Sequence, residues 1–395
     1  MKEKKLSIVA DAHIWGVESA FSSIPGFSVD LQVVESSAIN RERLTEADIL
    51  LTRSSTQVNA TLLEGTDVRF VATATIGDDH YDKTWLESHG VVWANASGSS
   101  TGSVIEYMMA VFLELHARRL ISIPESRLGI VGVGRIGSAL SDVCEKLGVQ
   151  LLYNDPPRAR EEKGGEFSSM ERVLAEADLV TLHTPMIRDG GDRTFHLLDP
   201  TWFSQFQGRG IINAARGGCV DNIALLNWLD GDSDRFAVLD CWEGEPNISR
   251  QLLAHPQLAV ATPHIAGHSL DGKAANTQYV YNALCSFLRI KPEWCAKSEL
   301  PVVETKRSVT VDDEIWQELH AIVSMLYPIM QDDDAMKGWL EQPEEMLPRS
   351  FSTFRRNYPV RRAWGNERVE VVSGNSKLIQ YADLMGMSIL NREGD

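Results

Sequence analysis

The sequence predicts an α/β fold: two parallel sheets, each wound with helices on both faces, followed by a small α+β module. Three observations support this. Short apolar runs of strand length alternate with helix-like segments from the first residues onward. The alternation restarts as a second series after Pro124. Its character then changes after Pro292, where few such runs remain. Repeated strand-then-helix at this spacing implies parallel strands joined by crossover helices, and 395 residues is the length of two or three domains.

The first series has strands at Leu6–Ala10, Ser28–Val34, Asp48–Leu51, Arg69–Thr73 and Val91–Ala94, with helices over Asn59–Gly65 and Tyr81–His89. A long helix follows over 99–120, where Ile105, Met108, Met109, Phe112, Leu113 and Leu115 recur near a 3.6-residue period. The second series begins at Arg127. Its strands are Leu128–Val131, Val149–Tyr153, Leu179–His183, Gly210–Asn213, Phe236–Leu239 and Leu258–Ala261. Ser168 and Glu171 fit a capping box for a helix over Ser168–Ala175. A second long helix spans Asp271–Ile290. In the tail, 308–312 and 368–372 read as strands and 313–330 as one amphipathic helix.

Composition excludes several classes of function. Hydrophobic residues are 43% and charged residues 24%, as in soluble globular proteins, and the net charge is −17. A nucleic-acid or anionic-membrane surface needs a basic face. No run approaches the roughly 20 apolar residues of a membrane helix, and the run Leu6–Ala10 is too short for a signal-peptide core. The five cysteines (Cys144, Cys219, Cys241, Cys285, Cys295) are widely spaced, odd in number and without a CxxC pair. They read as reduced thiols of a cytoplasmic protein, with no disulfide frame and no metal site.

The strongest local signal is Leu128–Gly137, where an apolar strand runs directly into Gly132-x-Gly134-x-x-Gly137 and a helix follows. Gly132 permits the tight turn, Gly134 lets backbone approach a pyrophosphate, and Gly137 lets helix and strand pack closely. Asp155 closes the next strand at the distance of the carboxylate that binds adenosine ribose hydroxyls. These residues point to a Rossmann-type cofactor domain. The Asp155 charge would repel a 2′-phosphate, favouring NAD over NADP, while Arg158 and Arg160 nearby pull the other way.

Three later segments carry polar residues at strand ends, where open α/β sheets bind ligands: Asn213–Gly218, Leu239–Pro246 and Thr262–Gly267. Arg216 can fork onto a carboxylate. His264 can take a proton from an alcohol as hydride leaves its carbon, and Glu245 can orient the imidazole. Singly, each of these has a bland alternative: a surface ion pair, a structural histidine, a turn residue.

Their joint order, with Gly132–Gly137, Asp155, His183-Thr184-Pro185, Asn213–Gly217, Asp240, Glu245-Pro246 and Pro263–Gly267, resembles the D-isomer-specific 2-hydroxyacid dehydrogenases over residues 5–290. The resemblance implies Arg216 as substrate carboxylate binder, His264 as acid/base and Glu245 as its partner. It implies Asp240 on the nicotinamide amide, and His183, Thr184, Arg135, Ile136, Ala214, Ala215, Arg216 and Gly267 around the cofactor. It also implies a cofactor domain (96–265) inserted in a flavodoxin-like substrate domain (1–95 and 266–290), with the active site in the cleft between them and helices 99–120 and 271–290 bridging them. Residues 291–395 would form a dimerisation domain, making the chain a homodimer.

Arg53-Ser54-Ser55-Thr56, Thr73–Gly77, Asn154–Arg158 and Arg355-Arg356-Asn357-Tyr358 narrow the likeness to members acting on a phosphorylated 2-hydroxy acid. By it, Ser54 and Thr75 contact substrate, and His268, a candidate for the same role, stands where a substrate-contacting Tyr is usual. Arg53, after a strand and beside Ser54, suits the phosphate. Arg349, Arg355, Arg356, Arg361 and Arg362 form a basic cluster, a second candidate for the phosphate, whose bland reading is a solvated face or tail-to-tail salt bridges. Asp11-Ala12-His13, Ser100 and His268 depart from the pattern, all in the expected substrate region. Two readings stand beside this one: a dehydrogenase of another D-2-hydroxy acid, and an NAD-sensing binding protein on the same scaffold. Apolar Trp316, Met325, Leu326 and Tyr327 look exposed and suited to a dimer contact.

Overall fold

The structure is a computed structural model and describes residues 4–162, 165–303, 306–310, 314–372 and 376–392. The chain divides into two compact units. One comprises Met1–Ser100 with Ser269–Val302, the other Thr101–His268 with Val303–Asp395.

The first unit holds a five-stranded sheet of β1 (Lys4–Asp11), β2 (Phe27–Val34), β3 (Ile49–Thr52), β4 (Phe70–Thr73) and β5 (Val92–Asn95), all parallel in the order β2-β1-β3-β4-β5. Alternation along β1 divides its side chains between two cores. Leu6, Ile8 and Ala10 pack with Phe21 and with Val280, Tyr281 and Leu284 of the helix Leu270–Leu288. Val9 packs on the other face with Leu44, Leu50, Leu63 and Leu86. Each fully buried Leu or Ile stabilises the fold by about 1.5–3 kcal/mol.

In the second unit, β6 (Arg127–Val131), β7 (Gln150–Asn154), β8 (Leu179–Leu182), β9 (Gly210–Asn213), β10 (Phe236–Leu239) and β11 (Leu258–Ala261) form a parallel sheet in the order β11-β10-β9-β8-β6-β7. Strands β8 to β11 are buried on both faces, which is why they read as nearly unbroken apolar runs. The order reverses between β6 and β8, the crevice where such sheets bind ligands.

The tail adds a parallel sheet of β12 (Lys306–Thr310), β13 (Arg368–Val372) and β14 (Ser388–Arg392). It packs into the second unit. Leu319, Ile322, Trp364 and Val369 share a core with Tyr107 and Met108 of the helix Thr101–Ala117, and Met336, Trp339 and Phe351 pack with Trp228 and Leu252 on the sheet's other side. The end strand β11 is covered by side chains of the tail. Asp333 accepts from the Ala261 N–H at 2.7 Å, and Lys337 donates to the Leu258 carbonyl at 3.0 Å. An end strand left bare would offer its backbone to other chains.

Four expectations are corrected. Ser169, not Ser168, caps the helix Met170–Glu176, accepting from Arg172 N. The tail helix breaks at Tyr327-Pro328 into Ile315–Leu326 and Ile329–Lys337, because proline has no N–H to continue the first. The strand 308–312 lies at 306–310, and 311–312 fall outside the described residues. Trp316, Leu326 and Tyr327 are buried, with Met325 half-buried, in the core around Tyr107.

Candidate active site

The phosphate-loop glycines are required for different reasons. Gly132 is left-handed (φ 87°), and a Cβ there would meet the His183 carbonyl carbon at 2.8 Å. A Cβ on Gly137 would meet the Gly132 carbonyl oxygen at 2.2 Å. Packing of the chain on itself explains both. Gly134 is different: a Cβ there meets nothing within 4 Å, and it caps the helix Arg135–Lys146 without a side-chain hydrogen bond. The open N-terminus of that helix, begun by Arg135 and Ile136, suits a diphosphate.

Asp155 caps the next helix, accepting from Arg158 N at 3.1 Å, and also accepts from the loop amide of Val133 at 2.9 Å. Both neighbouring arginines are paired, Arg158 to Glu162 at 2.7 Å and Arg160 to Asp192 at 2.5 Å. Each of the two cations weighing towards a 2′-phosphate thus already has a carboxylate partner. His183, at the end of β8, has a buried Nδ1 with no hydrogen-bond partner, and burial pushes its pKa down to about 4. Thr184 beside it contacts Cys219 Sγ at 3.4 Å. An open helix N-terminus, a ribose-type carboxylate and a buried polar atom awaiting a partner together fit a dinucleotide such as NAD.

Three loops at the ends of β9, β10 and β11 carry the polar cluster. Asn213 ties the first to the second: its amide donates to the carbonyls of Arg216 at 3.0 Å and Cys241 at 3.3 Å, while its oxygen accepts from Ala215 N at 3.2 Å. Ala214 and Ala215 are buried beneath this turn. Arg216 Nη1 donates to the Ala215 carbonyl at 2.8 Å. Gly217 lies against Trp242, whose carbonyl oxygen a Cβ would meet at 1.9 Å.

His264 Nδ1 meets Glu245 Oε1 at 2.6 Å, and Glu245 Oε2 accepts from Trp242 N at 3.3 Å. Burial works to raise the Glu245 pKa, but the charges of His264 and Arg355 and the bond to His264 outweigh it, so the carboxyl sits below its ordinary range. With Nδ1–H given to a carboxylate, Nε2 is left as proton acceptor.

The fully buried Asp240 accepts from Ile265 N at 2.7 Å and Thr262 Oγ1 at 2.8 Å on one oxygen, and from Ala266 N at 3.1 Å on the other. Burial pushes its pKa up, against the His264 charge and these bonds. Thr262 in turn accepts from the buried Tyr107 hydroxyl at 2.8 Å. His264 itself is left-handed, with φ 56°. Arg355, from the tail helix Leu347–Arg356, donates from Nε to the His264 carbonyl at 3.2 Å. Arg361 pairs with buried Glu106. For these two arginines the solvated-face reading of the basic cluster is corrected.

Gly267 and His268 follow in the same turn, and His268 N donates to the Ile265 carbonyl at 2.7 Å. Arg53, Ser54 and Thr75 belong to the first unit, after the neighbouring strands β3 and β4. Ser54 is exposed. Thr75 Oγ1 contacts Thr73 Oγ1 at 2.7 Å and donates to the Gly77 carbonyl at 2.8 Å, and His80 Nε2 reaches Thr73 Oγ1 at 3.2 Å. At the end of β1, His13 Nδ1 lies 3.3 Å from Asp11 Oδ1, with Ala12 exposed between them; Ser100 is buried.

Tyr107, Thr262 as a hydrogen-bonding side chain and Trp242 were not singled out as site residues from the sequence; the loop motifs signal the last two, and nothing local signals Tyr107. Arg355 was read only within the basic cluster, with no link to His264. The five cysteines are free, and no metal-binding cluster occurs among the described residues.

Residues 110–266 match the family described as D-isomer specific 2-hydroxyacid dehydrogenase, NAD binding domain. An erythronate-4-phosphate dehydrogenase from Pseudomonas aeruginosa is 36% identical over 390 residues, 98% of this chain and 100% of that protein. One from Pectobacterium atrosepticum is 38% identical over 344 residues, 86% and 88% of the two chains. Among solved structures, an NAD-dependent formate dehydrogenase from Staphylococcus aureus in complex with NAD superposes with a TM-score of 0.60 at 20% identity, covering 74% of this chain and 98% of that one. The last likeness is one of fold.

Proposed function

This chain belongs to the D-isomer-specific 2-hydroxyacid dehydrogenase family, and from that premise we propose that it oxidises 4-phospho-D-erythronate at C2 to the 2-oxo acid, a step of pyridoxal 5′-phosphate synthesis. It is an NAD-dependent dehydrogenase. The observation that carries the reading is the His264–Glu245 pair, bonded at 2.6 Å on loops that end strands of a dinucleotide-binding sheet.

When bound, the nicotinamide supplies the hydride acceptor. Gly134 and the N-terminal amides of Arg135–Lys146 would hold its diphosphate, with Asp155 at the ribose and His183 and Thr184 beside it. Asp240, its oxygens already engaged by backbone, would reach the nicotinamide amide with its remaining acceptor capacity. His264 Nε2 takes the proton of the C2 hydroxyl, and the Glu245 carboxylate stabilises the imidazolium that forms. Arg216 holds the substrate carboxylate. The phosphate end falls to Arg53 and Ser54, with Thr75 and His268 on the chain of the substrate. A cytoplasmic homodimer accompanies this reading: the five free cysteines fit a reducing compartment, and two-fold pairs are the commonest assembly. No helix among the described residues is long and apolar enough to cross a membrane.

A panel of D-2-hydroxy acids with and without a terminal phosphate, followed by NADH absorbance, tests the proposal. Phosphorylated erythronate should be the best substrate. Arg53→Ala should raise its KM at least about tenfold, the size of a lost charged hydrogen bond, and change an unphosphorylated analogue much less. Equal loss on both would make Arg53 structural and reopen the choice of acid.

A further inference from the structure

The catalytic turn is held from two sides. On one side Asp240 takes the amides of Ile265 and Ala266 with its carboxylate, at 2.7 and 3.1 Å, and the amide of His264 with its carbonyl at 2.7 Å. On the other side the His264 carbonyl receives Arg355 Nε at 3.2 Å, from a residue 91 positions further along the chain. Between these anchors His264 keeps a left-handed backbone that an L-residue holds only where its surroundings impose it.

We propose that Arg355 is a positioning residue of the dehydrogenase reaction: its guanidinium fixes the His264 carbonyl and sets a positive charge beside the His264–Glu245 pair, so that the C-terminal segment completes the catalytic unit of its own chain. The proposal rests on the function proposed above and deepens it.

The placement of Arg355 is built. The guanidinium lies 5.9 Å from the Phe351 ring centre, one turn earlier on the same helix, and Phe351 is buried in the core shared with Trp339 and Trp242. The charges that bear on the pair come from two elements: Asp240, after β10, interacts with His264, and Arg355, on the tail helix, helps hold the Glu245 carboxyl below its ordinary range. Arg216, after β9, bears on the neighbouring Cys241, a neutral thiol. Arg355 therefore helps keep ionised the carboxylate that orients His264. Arg356, its exposed neighbour, has no such place.

The test compares Arg355→Gln, Arg355→Lys and Arg356→Gln in the full chain. Two readouts are used: steady-state kinetics on whichever 2-hydroxy acid the wild type oxidises, and the pH dependence of diethyl pyrocarbonate modification at His264, read on its peptide by mass spectrometry. The second needs no substrate, so it stands if the assigned acid proves wrong. R355Q should lower kcat by about ten- to hundredfold, the size of a lost charged hydrogen bond, with KM values within threefold. The acid limb of kcat/KM and the modification midpoint should both move up by about half a pH unit or more, because loss of a nearby cation lets the pair hold its proton to higher pH. R355K should keep the wild-type midpoint and recover part of kcat, and R356Q should match wild type. An unmoved midpoint in R355Q overturns the proposal, as does a shift shared by R356Q. A rise in KM at constant kcat overturns it in favour of direct substrate contact. Should R355Q fail to fold, R355K decides alone: a displaced midpoint with the charge retained refutes the electrostatic role.

Discussion

At the scale of single residues, the site separates chemistry from binding. His264→Ala removes the proton acceptor, and kcat should fall about 10²–10⁴-fold, the usual share of a positioned acid/base. Asp155→Ala removes a helix cap and the acceptor for Val133 N. It should raise the KM for NAD, leave kcat within a few-fold and lower stability by about 1 kcal/mol. Steady-state kinetics with a thermal melt reads all three effects, and equal loss of kcat in both variants would contradict the roles. A different residue predicts a pH effect. Burial pushes the Asp332 pKa up to about 6, the Tyr358 hydroxyl opposing at 2.7 Å and the Asp240 charge adding to the rise. The native state thus holds a proton that the unfolded chain loses at its ordinary value of 3.8. The stability this group contributes is full below that value, declines as pH rises to about 6, and stays lost above. Asp332→Asn should therefore melt higher than wild type at pH 8, and the advantage should vanish by pH 4.

At the scale of elements, two identical substitutions in one loop should behave differently. Gly137→Ala forces a Cβ to within 2.2 Å of the Gly132 carbonyl oxygen, so loop or helix must shift, and the melting temperature should fall. Gly134→Ala adds a methyl that meets nothing of the protein. Melting should be unchanged while NAD binding, measured by calorimetry, weakens at least about tenfold because the methyl takes the place of a diphosphate. The glycine pattern was legible in the sequence because each residue answers a local demand. So were the eleven strands of the two large sheets, each found within two residues at either end, because buried parallel strands read as apolar runs. Ser388–Arg392 was missed: Ser388 on one side and Asn391 and Arg392 on the other confine the apolar stretch to Ile389 and Leu390. The Tyr327-Pro328 break was passed over because apolar spacing continues across it. Arg355 to His264 and Tyr107 to Thr262 span 91 and 155 residues. No local pattern encodes contacts of that reach.

At the scale of the molecule, the tail is core as much as appendage. Leu319, Ile322 and Trp364 are fully buried with Tyr107 and Met108, and Asp333 and Lys337 cover the end strand. A chain ending at Val302 would expose those partners together with β11. It should lose cooperative unfolding in calorimetry or fail to stay soluble, and a folded, active truncated chain would refute this. Assembly is then a question for the intact chain, by sedimentation, where a dimer is expected because two-fold pairs are the commonest assembly.

The insertion of one unit within the other also orders events in time. The first sheet is complete at Asn95, but the helix Leu270–Leu288 that supplies Val280, Tyr281 and Leu284 to one of its faces begins only about 175 residues later. At ribosomal rates of 5–20 residues per second that is a delay of roughly 10–35 s. Throughout it Ile8, Ile49 and Phe70 have only the short helix Val17–Phe21 to share their core and lack the long one, a window in which a nascent chain needs protection. Chains stalled on the ribosome before residue 269 should be cleaved by protease within their first hundred residues, and chains stalled well beyond 302 should resist. The segment made first is thus among the last to become native.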